Sequence, residues 1–260
     1  AKLQAEMQAN DVKADVIWFA DIAYFHKLAS EGKLLAANVT AKDVPAEFKY
    51  EGGKYWEVRQ IFNVVAYNTE KVKTPPTSWM VLADPKYKGK VGMPSPAYSG
   101  GAFTGLATLT QTPGLGWQFY KDLAKNDTVV EQANGAIANK LASGEFEVGT
   151  VVGFMIRNLK EKGSPVNYVW PKEGAVLIPT PVGVLSSTKH PNSATKLIDY
   201  MLSDRGQKLF VKQGYIPVRP GMGVPPGVPD LSSLHVLQVN VDYMNNNHDQ
   251  LMSEFQKLFP

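Results

Sequence analysis

The chain has 260 residues, 44% of them hydrophobic, and its 27 basic and 24 acidic side chains leave a formal net charge of +3. No stretch approaches the roughly 18 to 20 apolar residues that span a bilayer, and no block of Lys and Arg is of the kind that follows a nucleic-acid backbone. Because the chain contains no cysteine, disulfides, thiolate zinc sites and a cysteine nucleophile are excluded.

Segments typical of strands and of helices alternate along most of the chain, which predicts an α/β fold with largely parallel sheets. The opening residues 1–10 have helical composition. The predicted strands are 14–20, two runs between 55 and 69, 89–94, 128–131, 147–154, 166–171 and 175–187. The predicted helices are 21–32, 101–111, 114–125, 135–143, 154–162, 192–203, 204–214 and one within 240–259.

Long extended runs lie on both sides of the middle α/β segment, which suggests a chain that passes twice between two lobes. We expect these crossovers near 60–70 and near 175–185, with a cleft between the lobes. Ligands of open α/β sheets bind beyond the carboxyl ends of the strands, where helix N-termini lie. The predicted division is 1–62 and 182–260 for lobe 1, and 63–181 for lobe 2.

The segment "MPSPAYSGG" ends a predicted strand and opens a predicted helix with Ser99, Gly100 and Gly101. Ser99 is suited to cap that helix, since its hydroxyl can accept a bond from a free backbone N–H. Two glycines in a first turn weaken a helix by about 1 kcal/mol each relative to alanine, so we interpret them as room for a ligand. Asn134, as a cap, and Gly135 open a second helix. Two positive helix ends predict an anion site, and ordinary capped helices are the alternative.

Motifs of catalytic and metal sites are missing from the sequence. The four histidines lie far apart, and none has the spacing of a metal-binding motif. There is no nucleophile elbow, no Walker loop and no glycine fingerprint of a dinucleotide site. We therefore predict that the protein is not an enzyme and that it has no cofactor and no metal site.

Four segments, taken in order, carry a resemblance to a known family: "ADVIWFAD", "AYNTEKVKTPPTSWMVLADPKYKGKVGMPSPAYSGG", "ASGEFEVG" and "QGYIPVRPG". Over its whole length the chain resembles the type 2 periplasmic solute-binding proteins of ABC importers, in the branch with ferric-iron, hexose-phosphate and 2-aminoethylphosphonate binders. The resemblance implies two α/β lobes, two crossover strands as a hinge, and closure on the ligand. It also implies that the first strand, helix and strand of lobe 1 are lacking from this sequence.

The resemblance bears on iron binding. Ferric-iron members of the branch carry adjacent tyrosines at the position of Phe154 and Met155, and neither of these side chains can ligate iron. The acidic ligand of those members, at the end of the first strand segment, is replaced by Ala20, although Asp21 follows it. Ferric iron with a synergistic anion is therefore the alternative ligand, and an enzyme on this scaffold is a further alternative.

We predict instead that a small phosphate- or phosphonate-bearing solute binds in the cleft and is delivered to the permease subunits of an ABC transporter. Its phosphoryl oxygens would accept bonds from the N–H groups of Gly101 and Ala102 and from the Ser99 hydroxyl. We expect a monomer in the periplasm, or an extracytoplasmic lipoprotein, with a signal peptide outside this sequence and no nucleic-acid partner. The candidate ligand-binding residues are Ser99, Gly100, Gly101, Ala102, Asn134, Gly135, Trp18, Asp21, Asn63, Phe154 and Arg157.

Three of these candidates have structural alternatives. Trp18 lies on a strand predicted to be buried, so it can be a core residue instead of a ligand platform. Asp21 follows that strand and opens a helix, so it can be an N-cap. Arg157 lies one turn into its helix and can be solvated or form a salt bridge between the lobes.

Overall fold

The computed structural model describes residues 2–260. Its strands are β1 (Val16–Trp18), β2 (Leu34–Leu35), β3 (Lys49–Tyr50), β4 (Tyr55–Asn68), β5 (Val91–Pro94), β6 (Val129–Glu131), β7 (Val148–Val152), β8 (Val166–Val169), β9 (Ala175–Leu185), β10 (Ile216–Pro217) and β11 (Val236–Leu237). Its α-helices are α1 (Lys2–Gln8), α2 (Ile22–Ser30), α3 (Gly100–Leu109), α4 (Gly116–Lys125), α5 (Asn134–Ser143), α6 (Gly153–Glu161), α7 (Pro191–Leu202), α8 (Asp204–Gln213), α9 (Val241–Asn246) and α10 (His248–Leu258).

The predicted α/β element order is confirmed, with bounds that differ by a few residues. The two strand-like runs between 55 and 69 form one continuous strand, β4, and the final helical region contains two helices, α9 and α10. The two-residue strands β2, β3, β10 and β11 are not predicted from the sequence, because a pair of residues carries no periodicity.

The described chain divides into two compact units. Unit 1 contains the described residues up to Gln60 together with Pro179–Gly223, and unit 2 contains Ile61–Ile178 and Val224–Pro260. The chain therefore passes between the units within β4, within β9 and again after Gly223. The third passage is not predicted from the sequence. It leads into the C-terminal segment Val224–Pro260, which belongs to unit 2, whereas the sequence-based division places it in lobe 1. The lobe boundaries themselves stay a prediction.

Strand pairing within the units is mixed. In unit 1, β1 and β2 pair antiparallel with β9, and β3 and β10 pair antiparallel with β4. In unit 2, β7 and β8 pair antiparallel with β4, whereas β5 is parallel to both β6 and β7. The expectation of largely parallel sheets is therefore wrong. Apolar patterns report which residues are buried, and they do not report the direction of the neighbouring strand.

The core of unit 1 lies between its strands and the helices α7 and α8. Ile198 and Leu202 on α7 pack in one cluster with Val58 on β4, Val182 on β9 and Phe210 on α8. Apolar residues recur on α7 with helical spacing because one face of the helix is buried and the other meets water.

Unit 2 is built around α3, in which every residue from Gly101 to Leu109 is buried. This burial explains why the segment is apolar on all sides and not only on one face. The C-terminal helix α10 belongs to this unit, where Phe255 packs against Tyr120 of α4 with ring centroids 6.3 Å apart. Within residues 2–260, no helix combines the length and apolarity needed to cross a bilayer.

Candidate functional site

Ser99 lies at the N-terminus of α3 in unit 2. Its backbone is extended, with φ −127° and ψ 110°, and its Oγ accepts a bond from the Ala102 N–H at 3.2 Å. The predicted cap is therefore confirmed. In the part of the chain that the structure describes, the N–H groups of Gly100 and Gly101 have no hydrogen-bond partner. The first turn of α3 thus keeps two donors that the cap does not satisfy.

Asn134 connects this N-terminus to two others in the same unit. The N-cap of α5 is Ala133, so the predicted capping role of Asn134 is wrong. Asn134 Nδ2 donates instead to Ser99 Oγ at 3.3 Å, and its Oδ1 accepts from the Val152 N–H at 3.1 Å. Val152 is the N-cap residue of α6. One carboxamide therefore links the N-termini of α3, α5 and α6.

These three N-termini carry positive partial charge that no side chain of their own offsets. None of the three helices has an acidic residue in its first turn, where carboxylates usually complement the helix dipole. In the first turn of α5, Gly135 is half-buried, and its N–H has no partner among residues 2–260. A Cβ built on Gly135 would meet nothing within 4 Å. The linked N-termini therefore suit an anion that approaches close to the backbone.

The hydroxyl of Ser99 adds a further donor. Its Oγ already accepts two bonds, from the Ala102 N–H and from Asn134, so the oxygen's acceptor capacity is filled and its own proton remains to be donated. The Ala102 N–H, which the sequence analysis expected to contact the solute, is used in the cap. The N–H groups left to a ligand are those of Gly100, Gly101 and Gly135.

Asn63 is buried behind α3. Its Nδ2 donates to the Gly101 carbonyl oxygen at 3.0 Å, and its Oδ1 has no hydrogen-bond partner among residues 2–260. A Cβ at Gly105 would lie 2.9 Å from Asn63 Nδ2, so only glycine leaves room for this bond. Asn63 also lines a cavity of about 30 Å³ together with Thr150 and Tyr120. It therefore supports α3 from the interior of unit 2.

Two further candidates, Phe154 and Arg157, lie on α6. Phe154 and Met155 are half-buried in its first turn. Arg157 is buried, so the expectation of a solvated side chain is wrong, and its Nε lies 3.4 Å from Glu161 Oε1 on the same helix. In the described part of the chain, no three side chains of His, Cys, Asp or Glu form a group that could hold a metal ion.

The two remaining candidates belong to unit 1. Asp21 caps α2, with Oδ1 accepting from the Tyr24 N–H at 3.0 Å. Its alternative role as an N-cap is therefore confirmed. Trp18 is 39% exposed, and its alternative as a core residue is wrong. The guanidinium of Arg59 lies against the Trp18 ring, with Cζ 4.3 Å from the ring centroid.

Arg59 and Val152 are absent from the residues that the sequence analysis singled out. Arg59 did carry a signal, because a cation inside a strand of mostly buried residues is unusual. Val152 carried none, since its role rests on a backbone N–H that any residue except proline supplies.

Residues 11–247 match a known protein family, described as bacterial extracellular solute-binding proteins. The chain belongs to this family. The family consists of substrate-binding components and not of enzymes, and its members deliver small solutes to the permeases of ABC transporters. They act outside the cytoplasm. The predicted type 2 periplasmic binding protein fold and the expected absence of enzymatic activity agree with this membership.

Solute-binding proteins of several specificities are similar to this chain. The spermidine/putrescine-binding periplasmic protein 1 of Haemophilus influenzae is 30% identical over 233 residues, which cover 82% of this chain and 62% of that protein. A putative 2-aminoethylphosphonate-binding periplasmic protein of Salmonella typhimurium is 27% identical over 167 residues, covering 59% of this chain and 48% of that protein.

A solved structure supports the same fold. The periplasmic binding protein AfuA from Actinobacillus pleuropneumoniae, with exogenous fructose-6-phosphate bound, superposes with a TM-score of 0.87 at 25% identity, covering 98% of this chain and 85% of that one. The chain spans less than two thirds of the length of the two curated relatives described above.

Proposed function

We propose that this solute-binding protein captures a small solute bearing a phosphate or phosphonate group. The observation that carries the proposal is the link through Asn134, which ties the N-termini of α3, α5 and α6 together in unit 2. Their first turns contain no carboxylate, and they leave N–H and O–H donors for an anionic ligand.

The energies of the available hydrogen bonds support a phosphoryl ligand at the linked N-termini of α3 and α5. Hydrogen bonds to charged groups contribute about 1.5 to 3 kcal/mol each, and micromolar affinity corresponds to roughly 8 kcal/mol. The Ser99 hydroxyl and the N–H groups of Gly100, Gly101 and Gly135 supply four such donors. They belong to helices that are already folded, so little ordering cost opposes binding.

The ligands named for the relatives differ in charge, and the helix N-termini of unit 2 favour the anionic ones. Fructose-6-phosphate and 2-aminoethylphosphonate carry phosphoryl oxygens that suit helix N-termini, whereas spermidine is a polycation that the same N-termini repel. In unit 1, the Arg59 guanidinium lies over the rings of Trp18 and Tyr215, and its positive charge disfavours an ammonium group beside them.

Ferric iron with a synergistic anion is the alternative ligand. The anion half of such a site would use the same donors near Ser99. The cation half lacks support, because Phe154 and Met155 in the first turn of α6 carry no oxygen ligand for a hard cation.

A ligand screen tests the proposal. Thermal shift with fructose 6-phosphate, 2-aminoethylphosphonate, orthophosphate, spermidine and ferric citrate should identify a phosphoryl compound that stabilises the protein. Calorimetry on Ser99→Ala should then show about tenfold weaker binding or more, as expected for a lost bond to a charged group. A screen in which only spermidine or only iron raises the melting temperature would overturn the proposal.

Ser203→Ala is the matched control. Ser203 caps α8 in unit 1 as Ser99 caps α3, with Oγ accepting from the Gly206 N–H at the same 3.2 Å. Both substitutions remove one cap and should cost about 1 kcal/mol of stability. Only Ser99→Ala should weaken solute binding. Equal affinity in the two variants would leave Ser99 as a cap and nothing more.

A further inference from the structure

Arg59 of unit 1 is held between aromatic rings. Its Cζ lies 3.6 Å from the centroid of the Tyr215 ring on one side and 4.3 Å from that of Trp18 on another, and Phe210 lies at 5.8 Å. The residue sits on β4, opposite Pro217 of β10. The plane of the guanidinium is therefore fixed by packing before any ligand arrives.

The charge of Arg59 has no carboxylate partner. None of the ion pairs formed by residues 2–260 includes it, and its Nε is buried without a hydrogen-bond partner. Burial lowers the pKa of the guanidinium, and electrostatic attraction and a hydrogen bond to Tyr215 oppose that shift. Arg219 in the same unit is the opposite case, since Asp204 and Asp43 approach its Nη1 and Nη2 at 2.7 and 3.3 Å.

A partly buried cation without a counter-ion is costly, because desolvation is offset only by what surrounds it. Aromatic faces and a hydrogen bond with Tyr215 offset part of that cost, but within residues 2–260 no carboxylate pairs with the guanidinium to supply the two oxygen acceptors that its fork matches. The exposure of Trp18 shows that this group of rings reaches the surface of unit 1. A ligand oxyanion can supply the paired, negatively charged acceptor that the described residues do not.

We propose that Arg59, clamped by Trp18 and Tyr215, binds the oxyanion of a small molecule on unit 1. The chemical class is a carboxylate or a phosphoryl group, both of which accept the paired N–H donors of a guanidinium. This inference goes beyond the proposed function, because it concerns a side chain of unit 1 and stands whether or not the helix N-termini of unit 2 hold a phosphate.

Three variants of the whole chain test this site by calorimetry with orthophosphate, fructose 6-phosphate, 2-aminoethylphosphonate and malonate. Arg59→Met keeps an apolar stem between the rings and should weaken binding of the recognised probe about tenfold or more, as the loss of a charge-assisted bond predicts. Arg59→Lys keeps the charge without the planar fork and should fall between Met and wild type. Arg219→Met removes a cation that is already paired, and it should leave the affinity unchanged.

The probes distinguish the two oxyanion sources. A loss confined to malonate assigns a carboxylate to Arg59, and a loss confined to the phosphoryl compounds assigns a phosphoryl group. Unchanged affinity of Arg59→Met for every probe would overturn the proposal. If Ser99→Ala binds the probe more weakly and Arg59→Met binds it as wild type does, this site is refuted and the proposed function stands. If only Arg59→Met binds more weakly, the proposed function is refuted and this site stands.

A measurement on the wild-type chain does not depend on the variants folding well. The sequence contains four arginines, so nitrogen-15 spectra of the Nε–H groups are simple, and Arg59→Lys identifies the Arg59 signal by its absence. Addition of the probes should shift the Arg59 signal and leave that of Arg219 in place. If no probe moves the Arg59 signal, the guanidinium is a structural strut and the proposal is wrong.

Discussion

Asn134 Nδ2 donates to Ser99 Oγ at 3.3 Å, across 35 positions of sequence. The bond joins the first residue of α5 to the cap of α3, and the same carboxamide accepts from the N-cap residue of α6. Asn134 is therefore a connector between helix ends. This role makes its substitution informative, because it separates the binding properties of the site from the stability of the helices.

The first prediction concerns Asn134→Asp. The change keeps the shape, removes the donor to Ser99 and adds a negative charge at the linked N-termini. Binding of a phosphoryl solute should fall about a hundredfold or more, since the Ser99 hydroxyl would donate to the new carboxylate instead of to the solute and a like charge is added. The helix itself should not weaken, because a carboxylate in a first turn contributes about 0.3 to 1 kcal/mol of stability.

Asn139→Asp is the control for that experiment. Asn139 is exposed on the same helix, so its substitution makes the same change in net charge away from the N-terminus. Calorimetry should show near-normal affinity in this variant. Equal affinities of the two variants would mean that the N-terminus of α5 does not contact the anion.

The second prediction concerns Gly135→Ala. A Cβ at this position meets open space, and the helical backbone accepts alanine, so the variant should gain about 1 kcal/mol of stability. The methyl group would cover the N–H surface that a phosphoryl oxygen approaches, and affinity should fall about tenfold. Gly101 is a poorer choice for this test, because a Cβ there would lie 3.2 Å from Ile178 Cδ1. A variant that is more stable and binds as tightly as wild type would exclude Gly135 from the site.

The third prediction is a pH dependence that originates at Glu57 in unit 1. Burial raises the pKa of Glu57 to about 7 from the usual 4.5, although bonds from Tyr50 and Gln60 oppose the shift. The folded chain therefore holds this proton more tightly than the unfolded chain. The stability from this proton is fully present below about pH 4.5 and is lost as the pH rises to about 7.

Glu57→Gln removes this titration and so shows how much it changes the free energy of unfolding. Urea unfolding should find that the stability of the variant relative to wild type increases by about 2 to 3 kcal/mol between pH 4.5 and pH 8. Glu47→Gln changes an exposed carboxylate nearby and should show little such increase. A constant difference between Glu57→Gln and wild type across this range would mean that Glu57 titrates normally.

The fourth prediction concerns Gln207, which is fully buried on α8. Its Nε2 donates to the carbonyl oxygens of Val58 and Met201, and its Oε1 accepts from the Val218 N–H, each at 2.8 Å. Gln207→Leu removes a hydrogen bond from each of these three buried backbone groups, so the free energy of unfolding should fall by about 3 kcal/mol or more.

Gln213→Leu provides the comparison for Gln207→Leu, because Gln213 is exposed at the end of the same helix. Chemical denaturation should find its stability within about 0.5 kcal/mol of wild type. A similarly small loss in Gln207→Leu would mean that water satisfies the three groups.

Interactions between near neighbours in sequence determined much of what could be predicted. The apolar periodicities located the main helices and strands, because burial acts on each element's own pattern of side chains. The cap at Ser99 was predictable for a similar reason, since its partner Ala102 lies three positions away. The apolar runs at β4 and β9 marked two of the three passages between the units.

Only the tertiary structure decided the contacts between distant residues. The antiparallel direction of β7 and β8 against β4 depends on how the chain returns, which no local pattern records. Asparagine is a residue type common at N-caps, but Asn134 links helix ends instead, because folding placed Ser99 and Val152 within hydrogen-bond distance of its carboxamide. In the same way, folding placed Trp18 of β1 and Tyr215, which precedes β10, against the Arg59 guanidinium. Burial patterns act within an element and are legible in the sequence, whereas hydrogen bonds and ring contacts need exact distances that only packing supplies.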